Sequence, residues 1–227
     1  MRAISVGGAV RAAATDFYFN SVRFVAANVA FALCVLLVLF VAAAWPPAIV
    51  LVLLLAVPLA GVHRMAALLA RGEPASFGDF VTGARSFGVQ AVGIAILAVL
   101  LAAILVTNVV TGFAAEGPIG WFLGATAIYG VVALGMYVIA AWPVLVDPKR
   151  AGDPLRRKLQ VAGLVLLGRP GRLLVVTAIV VATLVASTVL LAGIALFGVA
   201  FASIVATRWV LPAADELESR FEAARAP

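Results

Sequence analysis

Charged residues are scarce in this chain. Only 11% of its 227 residues are Asp, Glu, Lys or Arg, whereas 65% are apolar. A soluble domain carries roughly 25% charged residues to cover its surface. The shortage excludes a soluble globular protein, because the surplus of apolar side chains has to face lipid. The length predicts one integral membrane domain.

The residues that most often carry chemistry are also missing. The chain has one histidine, His63, and one cysteine, Cys34, too few for a histidine-based zinc site or an internal disulfide. Neither a phosphate-binding loop motif nor a nucleophile-elbow motif occurs. No Asp, Glu, Lys, Arg or His residue lies near the middle of a predicted span, which argues against a proton-coupled transporter. The sequence therefore predicts no enzyme and no cofactor.

Basic charge is concentrated in one stretch. Asp147–Arg172 holds seven of the sixteen Lys and Arg residues, opposed only by Asp147 and Asp153. Basic clusters can indicate nucleic-acid binding, but that interpretation needs a basic face on a soluble fold. Here long apolar runs flank the stretch, so the preference of Lys and Arg for cytoplasmic loops explains it. We expect a cytoplasmic loop and no nucleic-acid partner.

The apolar runs predict an all-α, polytopic bundle of six transmembrane helices. Four runs are clearly bounded: Val22–Trp45, Ala48–Leu69, Val89–Phe113 and Ile119–Val146. The last run, Leu173–Thr207, is uncharged, and as one helix it would be about 52 Å long against a hydrocarbon core of about 30 Å. Two crossings, joined by a turn within Ser187–Gly193, are therefore predicted.

The distribution of basic residues supports six crossings. With six spans, the inner segments are 1–23, 63–87, 147–172 and 208–227, and they contain all sixteen Lys and Arg residues. This predicts a multi-pass protein of the cell (inner or plasma) membrane with both termini cytoplasmic. Glu116 is then the one charge expected outside. Residues 1–21 form a lead-in, 22–210 the bundle and 211–227 a charged tail.

Two short amphipathic helices are predicted on the cytoplasmic side. The first follows Ser76, which with Asp79 has the spacing of a capping box, and leads through Gly88 into the third span. The second, about Pro154–Leu167, should lie roughly in the membrane plane. Its charged residues are expected to face headgroups or solvent and are candidates for contact with a partner or anionic lipid: Arg156, Arg157 and Lys158. The alternative is that these charges only set topology.

Polar residues within the spans allow two interpretations. They are Asn28, Gln90, Asn108, Tyr129 and Tyr137. They could line a path for a polar solute, or they could form hydrogen bonds between helices, and we favour the second. Rows of small residues predict close helix packing within the chain: Gly120 and Gly124; Ala178, Ala182 and Ala186; Gly198, Ala202 and Ala206.

A resemblance to a known family rests on three features. Asn20 and Asn28 lie around the first span. The segment AVPLAGVHRMAALLARGEPASFGDFVTGAR begins with small residues in the later part of the second span and continues beyond its end. This segment contains the aromatic pattern Phe77-Gly78-Asp79-Phe80. In these features the chain resembles the YesL-like family of bacterial integral membrane proteins over roughly residues 15–212. It departs from the family in its higher Ala and Val content and in lacking a Trp early in the first span. The resemblance implies a membrane protein with a link to carbohydrate uptake and supplies no catalytic residues.

Two functions follow as expectations. The first is a non-enzymatic accessory component that binds membrane lipids and a membrane or cytoplasmic protein partner. The second is a permease for a small neutral or weakly polar solute. The sequence leaves the oligomeric state, the partner and the solute open.

Overall fold

The computed structural model describes residues 5–115, 117–189 and 197–224, and the regular structure within them is helical. The α-helices are α1 Val6–Phe19, α2 Ser21–Ala44, α3 Ala56–Ala70, α4 Phe77–Ala114, α5 Pro118–Val146, α6 Leu155–Gly168, α7 Pro170–Val189 and α8 Val199–Ala223. Two 3-10 helices, Pro46–Leu55 and Pro148–Arg150, precede α3 and α6.

Within the described ranges, five helical segments are long and apolar enough to cross a membrane. They are α2, the segment Pro46–Ala70, α4, α5, and α7 as far as Thr188. The first four coincide with the first four predicted spans. This makes the protein a helical, multi-pass membrane protein. The predicted turn within Ser187–Gly193 falls largely on residues 190–193, which lie outside the described ranges.

The first amphipathic helix was predicted as separate, and this is wrong. The capping box of Ser76 and Asp79 is confirmed, but the helix that it begins continues through Gly88 to Ala114. A Cβ on Gly88 would lie 3.3 Å from the side chain of Val57. The glycine therefore lets α4 pass close to α3 instead of breaking the helix. At 38 residues α4 is about 57 Å long, so its first turns extend beyond the apolar core of a bilayer.

The rows of small residues differ in their packing. A Cβ on Gly112 of α4 would lie 2.5 Å from the amide nitrogen of Gly124, so α4 and α5 approach backbone to backbone there. The row Gly198, Ala202 and Ala206 is buried in the bundle. Close packing within the chain is confirmed for these two rows. It is wrong for Ala178, Ala182 and Ala186, which are exposed on α7.

The packed interior lies toward one end of the bundle. α5 is buried continuously from Ala140 to its end at Val146, and α8 buries most of its residues from Val199 to Ala214. α1 packs Ala9 and Ala13 into this interior. We call this end the charged end, because the ion pairs described below gather there.

The opposite end is open. Beyond Ile94, α4 buries only Gly112, and before Met136, α5 buries only Gly120, Gly124 and Ala127. Large apolar side chains there are exposed, such as Leu100, which is 57% exposed. Such surfaces are stable in a membrane because lipid tails are as apolar as these side chains.

Candidate functional site

A network of ion pairs joins three helices at the charged end. Its centre is the carboxylate of Asp147, which is fully buried at the end of α5. Arg71, at the end of α3, donates two hydrogen bonds to it, from Nε at 2.9 Å and from Nη2 at 2.5 Å. Arg150 donates a third from Nη1. Parallel bonds from one guanidinium to one carboxylate are the strongest side-chain pairing that proteins use.

The C-terminal helix supplies the remaining acids. Asp215 of α8 accepts hydrogen bonds of 2.6 Å from both Arg71 and Arg150. Glu218, one turn further, accepts one of 2.8 Å from Arg150. The network therefore connects the end of α3, the end of α5 and the later part of α8.

Local structure places these side chains. Asp147 accepts a hydrogen bond from the amide of Lys149 and so caps the 3-10 helix Pro148–Arg150. That turn brings Arg150 back over Asp147 three residues earlier. Asp215 and Glu218 are three residues apart and therefore share one face of α8.

The network fixes the charge state of its members. Burial by itself would raise the pKa of Asp215, but hydrogen bonds from Arg71 and Arg150 hold it well below its ordinary value. The pKa of Glu218 is lowered by the same balance, with Arg150 and Arg157 as its donors. Burial would lower the pKa of Arg71, whereas Asp147 and Asp215 raise it. These groups are held ionised and mutually neutralised, which suits a structural clamp better than acid–base chemistry.

The three predicted contact residues on α6 lie in different environments. Arg156 is exposed, and Arg157 is half exposed with Nη2 at 3.1 Å from both Glu218 and Glu222. The expectation that Lys158 faces headgroups or solvent is wrong, because it is only 3% exposed. Its Nζ donates to the carbonyl of Leu145 at 3.1 Å and lies 5.0 Å from the ring centroid of Phe87. α6 packs on α5 and α8, and this packing turns Lys158 inward.

The polar residues within the spans are not brought together. The side chain of Asn28 accepts a hydrogen bond from the amide of Ala200 at the start of α8, and the hydroxyl of Tyr137 donates to the carbonyl of Leu159. These two confirm hydrogen bonding between helices. The other three do not converge: Gln90 is half-buried on α4, whereas Asn108 of α4 and Tyr129 of α5 are exposed.

A groove of about 570 Å³ runs between α6 and α8 at the charged end. Its apolar lining includes Val161, Leu164 and Leu167 of α6, and Leu167 is 79% exposed. Arg157 and Glu222 line it as well. The groove therefore offers an apolar surface bordered by charges of both signs.

A smaller cavity of about 170 Å³ lies among α3, α5, α7 and α8. His63, Trp142 and Ser203 are among the residues that line it. From the sequence, His63 is expected at a helix end near the interface, but it is only 6% exposed. It is buried because α3 continues inside the bundle for seven residues after it.

Sequence reasoning missed the ion-pair network and the burial of His63. A signal for the network exists, because acidic residues occur in the same segments as the basic ones, with Asp147 next to a span and Asp215 and Glu218 in the tail. The pairing of residues 144 positions apart, as in Arg71 and Asp215, has no local sequence pattern. No group of three or more His, Cys, Asp or Glu side chains in the described ranges is arranged to hold a metal ion.

The fold and site thus define a helical, multi-pass membrane protein with a buried ionic clamp at one end. Comparison of the chain with protein-family models, with curated proteins and with solved structures finds no match.

Proposed function

We propose that the chain is a six-span protein of the bacterial inner membrane, with the charged end and both termini in the cytoplasm. Its function is that of a non-enzymatic component that binds a protein partner. The topology is supported by the basic residues, which lie in the four inner segments. It is also supported by the position of Asp215, which lies at the same end of the bundle as Arg71 and Asp147. This position is expected if α8 runs in the same direction as α3 and α5.

The topology is tested by cysteine accessibility in a Cys34→Ala background. Single cysteines at Pro46 and Ala115 should react with an impermeant thiol reagent added to intact cells, whereas cysteines at Glu73 and Gly152 should react only after lysis. Each site lies in a connection between helices or at the end of one, so its replacement spares the packed interior. Labelling of Gly152→Cys in intact cells would contradict the proposal.

The groove between α6 and α8 carries the proposal of partner binding. Its size suits one amphipathic helix of a partner, whose apolar face would cover Leu164 and Leu167. Arg157 and Glu222 at its border would select the register of that helix. In the described part of the chain, the ionised residues nearby are paired with one another, which favours a docking surface over a catalytic one.

A pull-down in mild detergent tests the groove. The wild-type protein should recover one partner reproducibly, and Leu167→Gln should weaken that recovery at least fivefold by placing an amide on the apolar contact. Phe19→Gln is a matched control, because Phe19 is 77% exposed on α1 and lies outside the groove. Equal recovery with both variants would remove the groove from the proposal, and recovery of the protein alone would remove the function.

The YesL-like resemblance indicates which partner to test first. It implies a link to carbohydrate uptake, so the membrane subunits of a sugar-uptake system encoded nearby are the first partners to co-express. Anionic lipid is a further ligand in this proposal. Of the three predicted contact residues on α6, Arg156 is the exposed one that would contact a lipid headgroup.

A permease for a small neutral solute is the second candidate. It is favoured by the cavity of about 170 Å³ beside His63, which lies between α3, α5, α7 and α8. Reconstituted vesicles should then take up a solute faster than empty vesicles. No flux above background across a panel of neutral sugars, polyols and amides would reject this candidate.

A further inference from the structure

The single histidine of the chain lies in an unusual setting. His63 is stacked on Trp142, with the ring centroids 5.8 Å apart and the planes 7° from parallel. Its Nε2 lies 3.4 Å from the hydroxyl oxygen of Ser203, which holds one edge of the ring. The imidazole is thus fixed by a neighbour on its face and by another on one edge.

The second nitrogen of this imidazole lacks a hydrogen bond to the described residues. Among the residues that the structure describes, Nδ1 of His63 has no hydrogen-bond partner although it is buried. A buried polar atom without a partner is destabilising, because it has lost its hydrogen bonds to water without replacing them. Nearly all buried polar groups in proteins are satisfied, so an exception needs an explanation.

A cavity lies beside this imidazole. Besides His63, Trp142 and Ser203, its lining is aliphatic: Leu59, Val138, Ile139, Val180, Leu184, Val199, Ala202 and Ala206. Its volume of about 170 Å³ is close to the roughly 150 Å³ of an apolar cavity that accepts benzene. Most of this lining offers no hydrogen-bond partner, so a largely apolar ligand suits the cavity better than a cluster of water molecules.

We propose that this cavity is a binding site for a small, largely apolar molecule that carries one hydroxyl group, of the size of phenol. The aliphatic lining accepts the ring, and His63 forms a hydrogen bond with the hydroxyl. Neutral imidazole has one donor and one acceptor nitrogen. A hydroxyl can donate or accept, so it satisfies Nδ1 in either tautomer.

The route to the site is through the lipid. Leu184 of α7 lines the cavity and is 36% exposed on the outer surface of the bundle. A small aromatic alcohol dissolves in a bilayer and can enter between α5 and α7. The inference does not depend on the groove between α6 and α8, which lies at the charged end, and it requires no transport.

Fluorine NMR with two probes tests the site in the full-length protein in detergent. 4-Fluorophenol and 4-fluorotoluene have similar size, but only the first has a hydroxyl. We expect saturable binding of both, with 4-fluorophenol about tenfold tighter, a ratio typical of one buried hydrogen bond. Protein-free micelles correct for partition of the probes into detergent.

Two variants test whether His63 causes the preference for 4-fluorophenol. His63→Phe keeps an aromatic ring but removes both nitrogens, so the two probes should bind equally, within about twofold. Tyr137→Phe is the control, because it too replaces a polar ring within a span by phenylalanine but lies outside this cavity. It should keep the preference of the wild-type protein.

A second measurement applies even if His63→Phe fails to fold. Because His63 is the only histidine, nitrogen-15 histidine labelling gives the signals of this imidazole alone. 4-Fluorophenol should shift its Nδ1 signal saturably, and 4-fluorotoluene should shift it much less. Equal binding of the two probes to the wild-type protein, or an Nδ1 signal that does not respond, would overturn the proposal.

Discussion

The two ends of the bundle are held together in different ways. At the charged end, α3, the last turns of α5 and α8 bury most of their side chains around the carboxylate of Asp147. At the opposite end, α4 and α5 touch through glycines and present Leu100 and Phe122 outward. The difference follows from solvent, because apolar side chains lose nothing in lipid whereas charged ones need partners.

Polar groups follow the same division. At the charged end, charges are paired across helices, as between Arg71 and Asp215. In the open part, hydroxyls bond within their own helix: Thr111 to the carbonyl of Thr107, and Thr126 to that of Phe122. The first kind of bond fixes helices relative to one another, and the second does not. The charged end should therefore be the more rigid part of the molecule.

The largest effect is expected from breaking the centre of the network. Asp147→Asn leaves Arg71 and Arg150 short of a negative charge in a buried site, which typically costs about 3–5 kcal/mol. Unfolding by SDS in mixed micelles, followed by circular dichroism, measures the loss. Asp153→Asn is the control, since Asp153 lies 4.0 Å from a half-exposed Arg157 and should cost about 0.5 kcal/mol or less. Similar losses in both variants would contradict a stronger clamp at Asp147.

A smaller effect is expected at the open end. A methyl group at Gly112 would meet the backbone of Gly124, so Gly112→Ala should separate α4 and α5 locally and cost about 1–3 kcal/mol. Gly93→Ala on the same helix is the matched control, because nothing lies within 4 Å of its added Cβ. Its stability should rise slightly through helix propensity. If both variants behave alike in thermal unfolding, the glycine contact does not stabilise this end.

The smallest effect is expected from acid. The folded-state pKa of Asp215 lies below its unfolded value, so its contribution to stability is complete above about pH 4 and decreases as the pH falls further. Glu218 acts in the same direction. Melting temperatures between pH 3 and pH 7 should show a decline at the acid end that is shallower in Asp215→Asn. An identical acid slope in that variant would place the acid-sensitive group elsewhere.

Much of the fold was predictable because lipid imposes simple demands. The positions of the first four spans, apart from the start of the third, and the capping box of Ser76 and Asp79 follow from local hydrophobicity and hydrogen bonding. The break expected at Gly88 was wrong, since a glycine in sequence can mark a turn or a close helix contact. Only the position of Val57 on α3 distinguishes the two.

The candidate sites were less predictable. Three neighbouring cations on α6 look alike in sequence, but Arg156 is exposed, Arg157 is paired and Lys158 is buried. The helical period places them about 100° apart, and the packing of α6 on α5 and α8 decides which one turns inward. No local pattern reports that packing.

The sequence by itself determined that the protein is helical and lies in a membrane, because a chain with 65% apolar and 11% charged residues cannot cover the surface of a soluble domain. It also placed the charges at the ends of the spans, outside their apolar middle. The tertiary structure decided which charges pair and that His63 lies beside a cavity. Those contacts join residues as far apart as Arg71 and Asp215, or His63 and Ser203, and they form only once the helices pack.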